Sequence, residues 1–432
     1  VKKYLNSISA FQIFQLARYS TLILVGIVFA KTTLTQKAIG EYETFVFLAG
    51  AVSFFWLNGL LKALLPIGLN KSNNKTKVFS ALVVIQSFSV LAATLLFLFQ
   101  SFFSNILLNG KPVPELVLLL IFIVVSPASS LVEYYYLLTK RNKAIVAYAV
   151  VSFSVQFVLV VLPVLLGYGV QLAMKGLVFS FVGRYLWLLI TLFANREIVF
   201  SKSFVREHLQ LGLPLVVATL LSGSAQFIDG FIVTSRFDEA TFAVFRYGAR
   251  ELPLAMLLAN ALSNAMLPVF AQKELLAENL QQLKQSVQKL MHFLFPLTAI
   301  LLLVSKPLFP VIFNEKFQES ATIFNIYLLL IISRLMFPQT ILNGLKRSKP
   351  IMAAALFELI LNVGLSLIFV QFWGIAGIAM ATFVAYLFEK IYLAVVVKQS
   401  LSIPLSSYLP KRIFFIYSAI IIVIFIFAEL IF

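Results

Sequence analysis

Thirteen runs of predominantly apolar residues follow one another along this chain, near 8–30, 41–69, 78–104, 115–139, 144–167, 170–194, 208–235, 241–270, 286–313, 320–345, 350–371, 374–398 and 412–431. A helix needs about 20 such residues to cross the hydrocarbon core of a bilayer. In lipid every backbone N–H and C=O must find its partner inside the protein, which confines a chain of this pattern to a bundle of helices. Of the 432 residues 61% are hydrophobic and only 12% charged, too little polar surface to cover a soluble domain around one core. The sequence therefore predicts an all-α polytopic membrane protein.

The formal charge of +17 does not point to nucleic acid, because basic residues in such a chain gather in cytoplasmic loops. With the N-terminus placed in the cytoplasm, twenty Lys and Arg fall on the inner side, among them Lys140-Arg141 and Lys346-Arg347, and six on the outer side. That asymmetry sets the expected orientation. Lys2 and Lys3 precede the first apolar run without a small-residue cleavage site after it, so the first run reads as an uncleaved helix. The chain has no cysteine, and His208 and His292 stand without ligand spacing, so no metal site is expected.

Compared with itself, the chain shows a duplication. Ala63-Leu64-Leu65-Pro66 matches Ala265-Met266-Leu267-Pro268 at an offset of 202, while Lys140-Arg141-Asn142-Lys143 matches Lys346-Arg347-Ser348-Lys349 and Leu172-Ala173-Met174 matches Ile378-Ala379-Met380, both at 206. The expected organisation is one six-helix bundle over residues 1–200, a second over 201–400, and an additional helix in 401–432 without a counterpart. Six is even, so the two bundles enter the membrane in the same direction, as a parallel repeat about an axis along the membrane normal.

Arg18, Arg184, Arg250 and Arg334 fall inside apolar runs. On an insertion scale each central arginine costs roughly 2.5–3.5 kcal/mol, so four cost on the order of 10–14 kcal/mol, comparable with the stability of a whole domain. Charges kept at that cost mark a hydrated or substrate-filled path. At 100° per residue Arg246, Arg250, Asn260 and Asn264 fall within an arc of about 80° on the eighth run. Ser180, Arg184, Trp187 and Thr191 form a stripe on the sixth, and Gln15, Arg18 and Thr21 one on the first. The alternative for such stripes is polar glue between packed helices.

Asp229, Glu251 and Glu358 are deep acids, each of which must pair with a cation, take a proton or hold an ion. Asp229 shares a helical face with Ser222 and Gln226, and Glu358 precedes Asn362 by one turn, so either cluster is a candidate proton or sodium site; a salt bridge to a nearby arginine is the competing reading. Lys62, Glu133, Lys175, Glu389 and Lys390 lie closer to the membrane faces, where their side chains can snorkel. Residues 271–290 carry Leu276, Leu280, Leu283, Val287 and Leu290 at steps of four and three, which reads as an amphipathic connector helix on the cytoplasmic surface.

No GxxxxGK[ST], HExxH or GxSxG motif occurs, and the longest outer loop, around Ser101 to Glu115, is too short for an external catalytic domain. Transport is favoured over catalysis. In order along the chain, Leu211-Gly212-Leu213-Pro214, Gln226-Phe227-Ile228-Asp229, Ala243-Val244-Phe245-Arg246-Tyr247, Ala265-Met266-Leu267-Pro268 and Gly374-Ile375-Ala376-Gly377-Ile378-Ala379 give the sequence to about residue 400 a pattern that resembles the Wzx-type polysaccharide flippases. These belong to the multidrug, oligosaccharidyl-lipid and polysaccharide exporter superfamily. The resemblance implies a V-shaped, MATE-like transporter in the bacterial inner membrane that moves an undecaprenyl-pyrophosphate-linked oligosaccharide by alternating access. It implies pathway glycosyltransferases and a polymerase as neighbours, and no cofactor beyond a proton or sodium gradient. Its thirteenth helix departs from the commoner twelve or fourteen.

Arginine suits such a substrate, because its planar fork donates paired hydrogen bonds to phosphate and stays charged. Arg18, Arg246 and Arg250, then Arg184 and Arg334, with Asn260 and Asn264, are the expected substrate-binding residues. Asp229, Glu251 and Glu358 are the expected ion-coupling residues. A multidrug exporter of the same superfamily is the runner-up, though its cationic drugs would want carboxylates where this chain places arginines. A membrane polysaccharide polymerase or ligase is the alternative of another class.

Overall fold

The computed structural model describes residues 7–68, 77–249, 253–270, 275–345 and 347–431, which form helices, turns and short connections without a strand. The early helices are α1 (Ser7–Lys31), α2 (Gln36–Ile67), α3 (Val78–Leu98), α4 (Gln100–Leu107), α5 (Leu116–Ser129), α6 (Leu131–Leu138), α7 (Asn142–Leu165), α8 (Gly169–Ala194) and α9 (Lys202–Gly223). There follow α10 (Ala225–Arg236), α11 (Glu239–Gly248), α12 (Pro253–Phe270), α13 (Leu276–Ile312), α14 (Gln318–Leu328), α15 (Leu330–Arg334), α16 (Pro338–Gly344), α17 (Ser348–Leu401), α18 (Leu405–Tyr408) and α19 (Lys411–Ile431).

Among the described residues nine helices are long and apolar enough to cross a bilayer, and the bent succession Glu315–Arg334 and Pro338–Gly344 makes a tenth candidate. The thirteen apolar runs lie on these helices but are grouped differently. Run 208–235 is broken at Ser224 between α9 and α10, and run 241–270 between Gly248 and Pro253. Runs 350–371 and 374–398 both fall in the 54-residue α17. Phe179, Ile190, Phe193 and Leu430 are all more than half exposed, the outward apolar surface of a multi-pass membrane protein.

α17 is two arms folded back on each other. Asn362 Nδ2 reaches Thr382 Oγ1 at 3.3 Å, although residues that far apart along a straight helix would be separated by about 30 Å. The reversal lies at Gly374, whose φ of 54° and ψ of −135° belong to a region open to glycine and closed to residues with a Cβ. Past the turn the arms touch through backbone: a Cβ on Gly377 would stand 2.2 Å from the carbonyl oxygen of Phe369.

The chain forms two compact units, one of Val1–Ser224 with Thr234–Ala243, the other of Ala225–Val233 with Val244–Phe432. In the first, α2 lies along α9, α1 along α7, α7 pairs with α8, and α3 packs on α5. Gly59 lets the first of these pairs close up, since a Cβ there would meet the Val216 backbone at 2.6 Å. Trp56, Leu60, Tyr135, Tyr148 and Phe153 fill the core beneath.

In the second unit α13 packs against α12, α14 and α19. The additional helix α19 is tied down at both ends. Near one end Tyr417 hydrogen-bonds His292 Nδ1 at 2.8 Å and stacks on Phe295. Near the other Glu429 accepts from Lys306 Nζ at 2.8 Å, Asn325 Nδ2 at 2.8 Å and Thr322 Oγ1 at 3.0 Å.

Two sequence readings change here. Residues 276–290 are not a separate surface helix but the first turns of α13, continuous with the span that follows. Leu280, Leu283 and Val287, the apolar stripe expected to face the membrane surface, are buried in the core of the second unit. Glu389 and Lys390 do not snorkel either: both are buried and pair with each other at 2.7 Å, with Lys390 also donating to Gln339 Oε1 at 3.0 Å.

Candidate functional site

The first unit encloses a cavity of about 190 Å³, lined by α1, α2, α7, α8 and the break between α5 and α6. That is room for several waters, given polar partners on the wall. The break follows from sequence: Pro127 lies within the last turn of α5, and a proline there removes a helical hydrogen bond and crowds the preceding turn. Ser126 and Ser130 are thereby set on the wall.

Two arginines face this cavity. Arg18, near the middle of α1, is exposed. Arg184 is buried in α8 and held on three sides. Its guanidinium lies between the rings of Phe153 at 4.5 Å and Phe181 at 4.6 Å, and Nη2 donates to Gln156 Oε1 at 2.6 Å and the Ser152 carbonyl at 3.2 Å. Its Nε has no hydrogen-bond partner. Aromatic faces of this kind contribute roughly 0.5–2 kcal/mol and leave the charge in place. Neither arginine makes an ion pair with a carboxylate of the described residues. The result is a pocket bearing two guanidiniums, one exposed and one fixed in orientation.

The remaining polar residues of the α8 stripe serve neighbours. Ser180 caps its own helix carbonyl, and Trp187 Nε1 donates to Tyr136 Oη at 2.9 Å. On α1, Thr21 is buried and bonded to the Ala17 carbonyl at 2.9 Å, whereas Arg18 is exposed on the cavity.

In the second unit the deep acids come together. Asp229 on α10 is buried and accepts from Thr382, at 2.7 and 2.6 Å to its two oxygens, and from Tyr327. Asn362 also hydrogen-bonds it, and Ser366 in turn donates to Asn362 Oδ1 at 3.0 Å. Glu358, one turn before Asn362, is buried within electrostatic reach of Asp229, Glu389, Lys390 and Arg334, with Oε1 unpartnered. Neither acid forms an ion pair with a described residue. The two clusters that the sequence treats separately are one site.

Arg334 closes α15 with its guanidinium over the ring of Tyr386 at 5.5 Å and lines a small cavity of about 20 Å³ beside Tyr327. Arg246 is half-buried in the last turn of α11. Asn260 and Asn264 are exposed on α12. Because α11 ends at Gly248 and α12 begins at Pro253, the single stripe expected of Arg246, Asn260 and Asn264 does not lie on one helix. Arg250 and Glu251 lie outside the described residues, as do the side chains of Ser222 and Gln226.

Sequence reasoning misses Gln156, Phe153 and Phe181 around Arg184, and Tyr327 and Thr382 around Asp229. A signal exists for two of them. Ser152 and Gln156 stand one turn apart in an apolar run, and Thr382, Tyr386 and Glu389 follow one helical face.

The model of the polysaccharide biosynthesis protein family matches residues 32–322, about two thirds of the chain. The chain belongs to that family. This bears out the resemblance to Wzx-type flippases of the exporter superfamily. Solved structures agree on the fold of this polysaccharide biosynthesis protein. A lipid II flippase, MurJ, in its inward closed conformation superposes with a TM-score of 0.72 at 17% identity, covering 97% of this chain and 93% of the other. An inward-facing multidrug resistance MATE family transporter gives 0.62 at 16% identity, covering 92% and 98%. A point mutant of the Vibrio cholerae MATE transporter VcmN gives 0.58 at 15%, covering 95% and 98%. No curated protein sequence matches the chain closely enough to count as a relative.

Proposed function

We propose that this protein flips an undecaprenyl-pyrophosphate-linked oligosaccharide across the bacterial inner membrane by alternating access, for assembly of a surface polysaccharide such as O-antigen, capsule or exopolysaccharide. It sits with its N-terminus in the cytoplasm, receives its substrate from glycosyltransferases of the same pathway and delivers it to a polymerase. The observation that carries this reading is the pair Arg18 and Arg184 on one cavity, with no carboxylate of the described residues paired to either. A diphosphate and its sugars cannot enter hydrocarbon, whereas a wet pocket with two guanidiniums offers charge and paired donors while the prenyl chain stays in lipid. The family description and the likeness to a lipid II flippase support the same class of substrate.

Such a pocket repels cationic drugs, which weighs against multidrug export. The protein does no covalent chemistry in this reading; purified protein that extends or transfers a lipid-linked glycan would make it a polymerase or ligase instead. The acid cluster of Asp229 and Glu358, with Asn362 and Thr382, supplies the coupling site for a proton or a sodium ion, Glu251 is a further coupling candidate, and Arg246, Arg250, Arg334, Asn260 and Asn264 are further substrate-binding residues.

The test is genetic. In cells lacking their own flippase, the unaltered chain restores surface glycan, and R18A combined with R184A abolishes it while lipid-linked precursor accumulates. Normal glycan from the double variant at normal protein levels rejects the proposal.

A further inference from the structure

Glu133 belongs to neither the arginine pair nor the acid cluster. The sequence sets it near a membrane face, free to snorkel, yet it is 6% exposed. It stands in the first turn of α6, which starts afresh at Leu131 after the Pro127 break, so unpaired N–H groups of the helix start favour a carboxylate there. Ser130, three residues earlier, is on the cavity wall.

Glu133 lies within electrostatic reach of both cavity arginines, Arg18 from α1 and Arg184 from α8. Tyr148 from α7 and its chain neighbour Tyr134 also lie within electrostatic reach of it, Tyr136 stands one turn further along α6, and α2 brings Tyr42 to the same cavity. Neither guanidinium comes within ion-pair distance of it. Beside the pocket's two guanidiniums there is thus one buried carboxyl, held back from contact with either.

We infer that Glu133 is a built-in counter-anion of Arg18 and Arg184, a positioning residue that weakens their grip on a diphosphate so that the substrate can be released on the far side. The inference rests on the reading of the arginine pocket as the diphosphate site. Two unopposed arginines in a partly desolvated pocket bind a doubly charged anion tightly, and a transporter must also let go. A carboxylate too far off to neutralise either arginine, but near enough to repel the phosphates, lowers affinity without removing the donors.

The experiment uses the full chain in nanodiscs and titrates farnesyl-diphospho-N-acetylglucosamine, whose phosphodiester charges do not titrate in the range used. E133Q, which keeps the shape and loses the charge, is expected to bind about tenfold more tightly and to release the probe correspondingly more slowly. The unaltered protein should tighten toward that value as pH falls through the titration of Glu133, E133Q should show no such pH dependence, and E133D should restore it. R18A with R184A should lose binding.

Unchanged or weaker binding by E133Q overturns the inference while loss of binding in the double arginine variant leaves the pocket reading standing. No binding by the unaltered protein, or binding indifferent to both arginines, overturns the pocket reading and the inference with it. If E133Q does not fold, the pH profile of the unaltered protein decides, and a flat profile overturns the inference.

Discussion

Thr382 stands 2.7 and 2.6 Å from the two carboxylate oxygens of Asp229, 153 residues away in sequence. The contact is set up by the reversal at Gly374, which lays the second arm of α17 beside the first and brings Asn362 to the same carboxylate. A buried acid that is hydrogen-bonded by neutral oxygens and nitrogens, with no paired cation among the described residues, keeps its capacity to hold a proton or a sodium ion.

For Asp229 the expected outcome is a separation of folding from coupling. D229N retains the shape and most of the hydrogen bonds, so the melting temperature should change little while glycan export falls at least tenfold. If sodium is the ion, raising its concentration should stabilise the unaltered protein in a thermal melt and leave D229N unmoved. Full export by D229N would remove the acid from the mechanism.

The two arginines of the first unit should differ in stability and agree in function. R184A strips Gln156 and the Ser152 carbonyl of their donor and two rings of their cation, so it should cost on the order of 2–3 kcal/mol. R18A should cost nothing measurable, because Arg18 is exposed and unbonded. Both should lose export, and R184K should not rescue it, because a lysine cannot keep the stacked fork. Melting curves and glycan gels on the same preparations check this.

Glu429 ties the additional helix to its unit. E429A leaves Lys306, Thr322 and Asn325 without their shared acceptor and should destabilise the protein by roughly 1–3 kcal/mol. E429Q should recover part of the loss. Equal melting temperatures for E429A and the unaltered protein would show that α19 is held by packing alone.

Asp238 caps α11: Thr241 N–H donates to its Oδ1 at 2.8 Å, and that bond, with further help from the Thr241 hydroxyl and Lys111, holds its carboxyl below the usual range. A depressed folded value means that the cap contributes in full above the ordinary carboxylate range and is lost as pH falls through the folded value. D238A should therefore cost about 1 kcal/mol at neutral pH, and the difference from the unaltered protein should vanish in acid. Thermal melts at both pH values measure it.

Much of this was legible in the residues. The apolar runs place the helices, and Arg184, Asp229 and Glu358 stand out because charge in an apolar run is costly. The partners were not legible, because Gln156 meets Arg184 and Thr382 meets Asp229 only through tertiary packing. Helical periodicity says which face a residue occupies and not what that face meets. It also fails where a helix stops: Arg246 and Asn260 share an arc only if one helix joins them, and the break after Gly248 denies that. Glu133 was misplaced for a related reason, since the Pro127 break that starts a new helix beside it buries what position along the run would leave near the surface.

The most direct measurement is transport by the purified protein in proteoliposomes. A short-chain prenyl-diphospho-disaccharide carrying a fluorophore is loaded on one side, and its arrival in the other leaflet is read with a lectin. The unaltered protein should move this lipid and leave the uncharged glycosyl-prenol behind, and R18A with R184A should move neither. Equal rates for the charged and uncharged lipids, or an undiminished rate in the double variant at normal incorporation, would contradict the proposed function.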